Sequence, residues 1–209
     1  MIIDSIQLNQ FESRYRATLI NSLAGIKQAF LVGTKSTEGH SNLAIFNSLI
    51  HFGANPPLWG FLCRPDTVQR DTLRNILETG HYTFNFIHKG DAEKAHQTSA
   101  KFPSEVSEFD ACGLTEQSGQ DFPAPFVAES PIKIGMKFEE KVDIAINGTI
   151  LIIGSIQFIE LDENWISADG FVDLAKAESL TCAGLDAYFE NKLVQRLSYA
   201  KPDKWPSKI

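Results

Sequence analysis

The chain lacks the residue patterns that mark several chemistries. Its three cysteines, Cys63, Cys112 and Cys182, are scattered and include no Cys-x-x-Cys pair, so neither a disulfide framework nor a zinc knuckle is predicted. We expect them to be small buried hydrophobes in a reducing compartment. The five histidines have no metal-ligand spacing, and no phosphate-binding loop, zinc-protease, dinucleotide-binding or serine-hydrolase motif occurs. The sequence therefore predicts neither a metal site nor a side chain that acts as a catalytic group.

Long apolar runs and an excess of positive charge are also missing. The most apolar stretch, residues 144–159, is interrupted by Asn147, Gly154 and Gln157 among others, so it does not read as a membrane-spanning segment. The first residues show no basic signal-peptide start. A formal net charge of −7 argues against general binding to nucleic acid or anionic membranes. We expect a cytoplasmic protein, and a small anionic ligand stays possible because a pocket can be locally positive.

The composition is that of a globular chain with a bulky core. Hydrophobic residues make up 43% of the 209 residues and charged residues 22%, and 15 residues are Phe. No repeat, low-complexity tract or linker interrupts the pattern, so we expect one domain over residues 1–209. Many short apolar runs alternate with only a few helical stretches, which favours a closed β architecture.

The apolar pattern predicts the elements individually. Leu73, Ile76 and Leu77 form one helical stripe, which Asp71 or Thr72 would cap and Gly80 would end. The Asn147-Gly148 pair predicts a two-residue hairpin turn of type I′. Residues 12–24 favour a helix or turns, and a second short helix is predicted over residues 91–100. Residues 183–199 are helical in pattern, or a helix followed by a tail. Strands are predicted over residues 29–34, 43–52, 58–63, 81–87, 133–138, 142–146, 149–153 and 155–161.

A candidate anion site lies at the start of the helix that carries this stripe. The first turn of a helix exposes unpaired N–H groups and carries a partial positive charge, so phosphate docks there readily. Arg70 would add a bidentate contact and Thr72 a hydroxyl. The alternative is an ordinary capped surface helix whose arginines are solvated.

A second candidate segment precedes this helix. Small polar residues, Asn47 and Ser48, follow Phe46, so main-chain groups here could hold a flat heteroaromatic ligand against an apolar wall. Arg64, just beyond the next strand, could close a phosphate or pyrophosphate site. The alternatives are a plain β-turn and an ordinary surface arginine.

Taken together, four segments resemble the flavin reductase-like family, the FMN-binding split β-barrels. They are the Asn-Leu-Ala-Ile-Phe-Asn-Ser run at 42–48, Asn-Pro-Pro-Leu at 55–58, Arg-Asp-Thr-Leu-Arg-Asn-Ile at 70–76 and Phe-Asn-Phe at 84–86. Their order and spacing match over roughly residues 25–160, which leaves 161–209 as a C-terminal extension. The resemblance implies a mainly β Greek-key split barrel with a few helices, usually a homodimer with FMN at or near the subunit interface.

The resemblance also implies roles for individual residues. Arg70 and Thr72 would hold the FMN phosphate, and Arg64 and Asp71 are further candidates by the same transfer. The isoalloxazine ring and ribityl chain would be held by Ala44, Ile45, Phe46, Asn47 and Ser48.

The chain departs from the family pattern in three places. The Arg-Leu-Gly stretch that is common near the family's C-terminus reads Cys-Ala-Gly-Leu at 182–185. Ile45 replaces the usual proline, and Asn147-Gly148-Thr149 stands where flavin-reducing members often carry Gly-Asp-His near the nicotinamide. The favoured hypothesis is an enzyme, an FMN-dependent oxidoreductase of the flavin reductase type that uses NADH or NADPH as electron donor. The alternative is an FMN-binding electron-transfer or flavin-holding protein without nicotinamide-dependent turnover. A structural barrel without a cofactor is the third hypothesis.

Overall fold

The computed structural model describes residues 1–65, 70–118 and 121–209. Within these ranges no helix is long and apolar enough to cross a membrane. The α-helices are α1 (Ser5–Gln10), α2 (Ser13–Leu23), α3 (Asp71–Thr79), α4 (Ala92–Gln97) and α5 (Glu108–Cys112), with 3-10 turns at Lys89–Asp91 and Glu163–Trp165. The strands are β1 (Lys27–Gln28), β2 (Phe30–Lys35), β3 (Ser41–Phe46), β4 (Ile50–Ala54), β5 (Pro57–Cys63), β6 (His81–Phe86), β7 (Glu116–Gln117), β8 (Phe126–Val127), β9 (Lys133–Ile144), β10 (Thr149–Glu160), β11 (Leu180–Ala183) and β12 (Ala187–Glu190).

One large antiparallel sheet organises the fold. Its seven strands run in the order β3-β2-β6-β9-β10-β5-β4, so β3 and β4 form its two edges and the sheet does not close. The register of the β9–β10 pair shifts between Ile153 and Gly154 and between Ile156 and Phe158. Such bulges bend and twist long strands, which lets the sheet curl. The predicted mainly β architecture with a few helices is confirmed.

The two faces of this sheet pack against different clusters of apolar side chains. Phe30 and Val32 of β2 contribute to an aromatic cluster, whereas Ala29 and Leu31 contribute to a second cluster beneath α4 and α5. The side chains of a strand alternate between its faces, so β2 is apolar throughout because both faces are covered. In the aromatic cluster the Phe30 and Phe84 rings meet edge to face with centroids 4.8 Å apart.

The C-terminal segment differs most from the prediction. The helix predicted over 183–199 is wrong, because β11 and β12 form an antiparallel hairpin that turns at Gly184, whose φ is 64°. Leu180 and Cys182 of β11 are both buried in the second cluster. Their spacing of two residues places them on one face of a strand, and the apolar pattern of this segment therefore had period 2.

Several strand boundaries were also wrong. The strand predicted over 43–52 is split into β3 and β4 by the loop 47–49, and the four strands predicted between 133 and 161 are two, β9 and β10. Gly154, which suggested a break, lies within β10 beside Tyr82: a Cβ there would stand 2.3 Å from the Tyr82 hydroxyl. The predicted type I′ turn is wrong, because residues 145–148 form a four-residue loop in which only Gly148 has a positive φ, 73°.

Candidate functional site

A cleft of about 670 Å³ opens beside the β3 edge and the start of α3. All nine residues predicted to bind a cofactor line it, so the structure brings both candidate segments to one place. The nine are Ala44, Ile45, Phe46, Asn47, Ser48, Arg64, Arg70, Asp71 and Thr72.

The loop after β3 is held in place by its own side chains. The Ser48 hydroxyl accepts a hydrogen bond from the Leu62 amide (3.0 Å) and donates to the Leu62 carbonyl (3.2 Å), which ties the loop to β5. Asn47 Nδ2 donates to the Gly184 carbonyl (2.7 Å), which ties the same loop to the β11–β12 hairpin. These bonds fix the conformation of the loop, so its main-chain groups are held in place beside the cleft.

Phe46 serves both the core and the cleft. Its ring packs edge to face on Phe61, with centroids 4.8 Å apart, yet the side chain is only partly buried and lines the cleft. It therefore provides a rigid apolar wall.

The N-terminus of α3 meets the cleft without a side-chain cap. The N-cap residue is Arg70, in extended conformation, and no side chain caps the helix. The predicted capping by Asp71 or Thr72 is therefore wrong: both residues lie inside the first turn, and Asp71 instead pairs with Arg74 at 2.8 Å. The first three N–H groups of a helix have no intrahelical acceptor, and here Thr72 and Leu73 are buried.

Arg70 adds an unpaired donor at the same place. Its Nε atom is buried and has no hydrogen-bond partner among the residues that the structure describes. Arg64, exposed at the end of β5, lies on the same cleft. A buried donor without an acceptor costs about 1–3 kcal/mol, and an anion that accepts from Arg70 and the α3 amides would remove that cost. The arrangement is suited to binding a phosphate.

A carboxyl group from α5, that of Glu108, also lines the cleft, although the sequence did not predict a role for it. Glu108 Oε2 accepts a hydrogen bond from the Leu43 amide (2.9 Å). Burial raises the pKa of the Glu108 carboxyl above its usual value, with a further contribution from the negative charge of Asp71. Nothing in the local sequence relates Glu108 to β3, because 65 residues separate it from Leu43.

A further part of the cleft wall comes from α4 and the C-terminal hairpin. His96 Nδ1 and the Tyr188 hydroxyl are hydrogen-bonded at 2.9 Å, and burial raises the pKa of Tyr188 to about 12. Cys182 and Leu185 of the hairpin complete this wall. The sequence did not predict this part of the cleft, because a helix was wrongly predicted over residues 183–199. In the hairpin that forms instead, Cys182 and Tyr188 are paired on neighbouring strands.

Comparison with known proteins agrees with this architecture. An uncharacterised protein of Halalkalibacterium halodurans, BH2278, is 31% identical over 148 residues, which are 68% of this chain and 70% of the relative. The structure of a candidate flavin reductase with a split barrel domain from Shewanella frigidimarina is 44% identical and covers 96% of this chain and 100% of its own, with a TM-score of 0.92. Nitrilotriacetate monooxygenase component B from Bacillus cereus shares the fold at 19% identity, with a TM-score of 0.81 over 94% of this chain and 98% of its own.

These similarities confirm the split-barrel fold that the sequence motifs implied. The model of the flavin reductase like domain matches residues 26–174, which is well over half of the chain and includes all nine candidate residues. The chain belongs to the flavin reductase-like family.

Proposed function

We propose that the chain is an FMN-binding oxidoreductase that uses NADH or NADPH to reduce the flavin in its cleft. The observation that carries the FMN assignment is the buried, unpaired Nε of Arg70 beside the uncapped start of α3. A dianionic phosphate provides several acceptor oxygens for these donors. Family membership supports a flavin as the molecule that bears the phosphate.

Each candidate residue has a distinct part in this proposal. Arg70 and the first amides of α3 bind the phosphate, and Thr72 adds its hydroxyl. Asp71 contributes its amide, because its carboxylate is engaged with Arg74. Arg64 supplies a second positive charge at the rim.

The ring system would lie along the other candidate segment. Residues 44–48 offer main-chain N–H and C=O groups next to the Phe46 ring, which suits a flat heterocycle with polar edges. A bound flavin supplies the hydride and electron transfer itself, and the protein binds it, orients it and controls access to it. No side chain needs to act as acid or base, which agrees with the lack of a recognisable catalytic set in the sequence.

Flavin titration tests the binding half of the proposal. Arg70→Ala should weaken FMN binding by roughly 10- to 100-fold, the range for a lost hydrogen bond to a charged group. Arg14→Ala is the matched control: it removes the same charge from an exposed residue of α2 that does not line the cleft. Equal affinities for the two variants would refute the phosphate assignment.

Anaerobic reduction tests the catalytic half. Addition of NADH or NADPH to the FMN-loaded protein should bleach the flavin absorbance. If the flavin binds tightly but stays oxidised with both nucleotides, the reductase proposal is refuted. The second candidate, an FMN-binding electron-transfer or flavin-holding protein, then takes its place.

One observation favours that second candidate. Asn147 Oδ1 accepts hydrogen bonds from the amide (3.0 Å) and hydroxyl (2.7 Å) of Thr149. The side chain that stands in the family's Gly-Asp-His region therefore stabilises its own turn, and residues 147–149 do not line the cleft.

We also propose that the chain forms a homodimer. Large apolar side chains of the C-terminal extension face solvent, with Val194 88%, Tyr199 89% and Trp205 90% exposed. A second copy would cover them. Light scattering after size exclusion should give twice the monomer mass, and a monomeric value at micromolar concentration would contradict the proposal.

A further inference from the structure

Three elements meet beneath the cleft in a network of buried polar side chains. Asn42 Nδ2, on β3, donates to the Thr72 hydroxyl of α3 at 3.0 Å and to the Thr34 hydroxyl of β2 at 3.3 Å. Asn75 Nδ2, one turn further along α3, donates to the same Thr34 hydroxyl at 3.1 Å. Thr34 and Asn75 are almost fully buried, at 0% and 1% exposed, so the network fixes the start of α3 on the sheet.

The hydrogen-bond roles of Thr72 follow from this network. A threonine hydroxyl has one hydrogen to donate and two lone pairs. The amide nitrogen of Asn42 only donates, so it occupies a lone pair of Thr72 and leaves the hydroxyl hydrogen unused. Among the residues that the structure describes, this hydrogen has no protein acceptor.

Asn42 and Thr72 share the cleft wall with Arg70. Thr72 is only 6% exposed, and its amide is one of the uncapped donors of α3. A hydroxyl held as a donor beside these amides adds to the same anion-binding group.

We propose that Asn42 is a positioning residue: by donating to Thr72 it keeps the Thr72 hydroxyl as a donor to the flavin phosphate, and so makes the cleft select phosphorylated over unphosphorylated flavin. The inference rests on the proposed FMN site and assigns its preference for the phosphate to a residue that acts through the Thr72 hydroxyl.

The test compares FMN with riboflavin, which lacks the phosphate, by fluorescence titration of the apoprotein. Asn42→Leu should lower FMN affinity about tenfold and leave riboflavin affinity unchanged, since a lost hydrogen bond to a charged group has about this effect or more. Thr72→Val should act in the same way. The double variant should be no worse than Thr72→Val alone, because Asn42 acts only through that hydroxyl.

Asn75→Leu is the matched control. It removes an amide from the same network that contacts Thr34 and not Thr72, so it should lower the melting temperature without changing the ratio of FMN to riboflavin affinity. A role of Asn42 in stability alone would make Asn42→Leu behave like this control. If Asn42→Leu does not fold, Asn42→Ala, which adds no bulk, is expected to give the same loss of preference.

The possible outcomes separate this inference from the proposed function. A wild-type protein that binds FMN no better than riboflavin overturns the phosphate site and the inference together. A wild-type preference for FMN that survives in the Asn42 variants overturns the inference alone, as do additive losses in the double variant. Loss of the preference on substitution of Asn42, absent in the Asn75 control and not additive with Thr72→Val, supports it.

Discussion

Asn85 belongs to the Phe-Asn-Phe motif at 84–86, and we predict that it stabilises the fold and does not bind the flavin. It is fully buried in β6 and does not line the cleft. Its Oδ1 accepts from the Val127 amide (2.9 Å), and its Nδ2 donates to the Thr83 hydroxyl (2.8 Å). Thr83 in turn donates to the Pro125 carbonyl at 2.6 Å. Together these bonds fasten the segment that contains β8 to the main sheet.

The cost of Asn85→Ala follows from these contacts. The substitution leaves the buried Val127 amide without an acceptor, which costs about 1–3 kcal/mol. The Thr83 hydroxyl loses a donor, and the missing side-chain atoms leave a small void, for which we add about 1 kcal/mol. We therefore expect the free energy of unfolding to fall by about 2–4 kcal/mol, and Tm by about 5–15 °C for a chain of this length.

Urea unfolding, followed by tryptophan fluorescence, measures this change. The midpoint should fall with an unchanged m-value, since the surface exposed on unfolding is the same. Asn164→Ala is the control, because the Asn164 side chain lies at the surface and bonds to nearby Asp162, so its loss should cost less than about 0.5 kcal/mol. A loss below about 1 kcal/mol for Asn85→Ala would refute the network argument, and weakened FMN binding by the folded variant would refute a purely structural role.

Three further substitutions test other parts of the structure. Gly33→Ala should destabilise the chain by several kcal/mol in a melting experiment, because the added Cβ would stand 2.3 Å from the Pro125 carbonyl oxygen. Gly53→Ala is its control and should be nearly neutral, because the added Cβ would make an ordinary 3.5 Å contact with the Pro56 carbonyl oxygen. Glu108→Gln should raise Tm at pH 7 by on the order of 2 °C, because it keeps an acceptor for the Leu43 amide and removes a buried charge. Burial raises the pKa of Glu108, so the folded state binds the proton more tightly than the unfolded state. The wild-type protein therefore loses stability as pH rises from about 4.5 through the raised pKa. Asn47→Ala should increase hydrogen exchange in the β11–β12 hairpin, since it removes the bond to the Gly184 carbonyl.

Each of these predictions has a contradicting result. Equal melting temperatures for Gly33→Ala and Gly53→Ala would mean that the sheet yields at β2. A Tm gain of Glu108→Gln that persists unchanged down to pH 4 would exclude the buried charge as its cause, because the wild-type carboxyl is then largely protonated. Unchanged exchange in the hairpin of Asn47→Ala would show that apolar packing alone holds it.

The sequence predicted best what is local. The helical spacing of Leu73 and Ile76 and the final Gly80 predicted α3 correctly, because both side chains lie on its buried face. Leu77, the third residue of the predicted stripe, is 44% exposed. The candidate residues were found together for a similar reason: residues 44–48, Arg64 and residues 70–72 are close in the sequence, and they line one cleft.

The features that the sequence did not predict depend on contacts between residues that are far apart in the chain. Glu108 and Tyr188 reach the cleft only through tertiary packing, and their partners Leu43 and His96 lie 65 and 92 residues away. The capping of α3 could not be read from Asp71-Thr72 because Asp71 prefers its contact with Arg74. The cytoplasmic location, the single domain over residues 1–209 and the roles of the nine residues stay predictions.

The hairpin of β11 and β12 has a consequence for how such a protein can change. It lies beyond residue 174, where the family match ends, yet it supplies Cys182, Leu185 and Tyr188 to the cleft. The residues proposed to hold the phosphate therefore lie inside the matched domain, whereas part of the cleft wall lies outside it. A chain shortened to the matched region would keep Arg70 and Thr72 but lose the part of the cleft wall that the hairpin supplies. Substitutions in the hairpin can therefore change the shape of the cleft while the residues proposed to bind the phosphate stay the same.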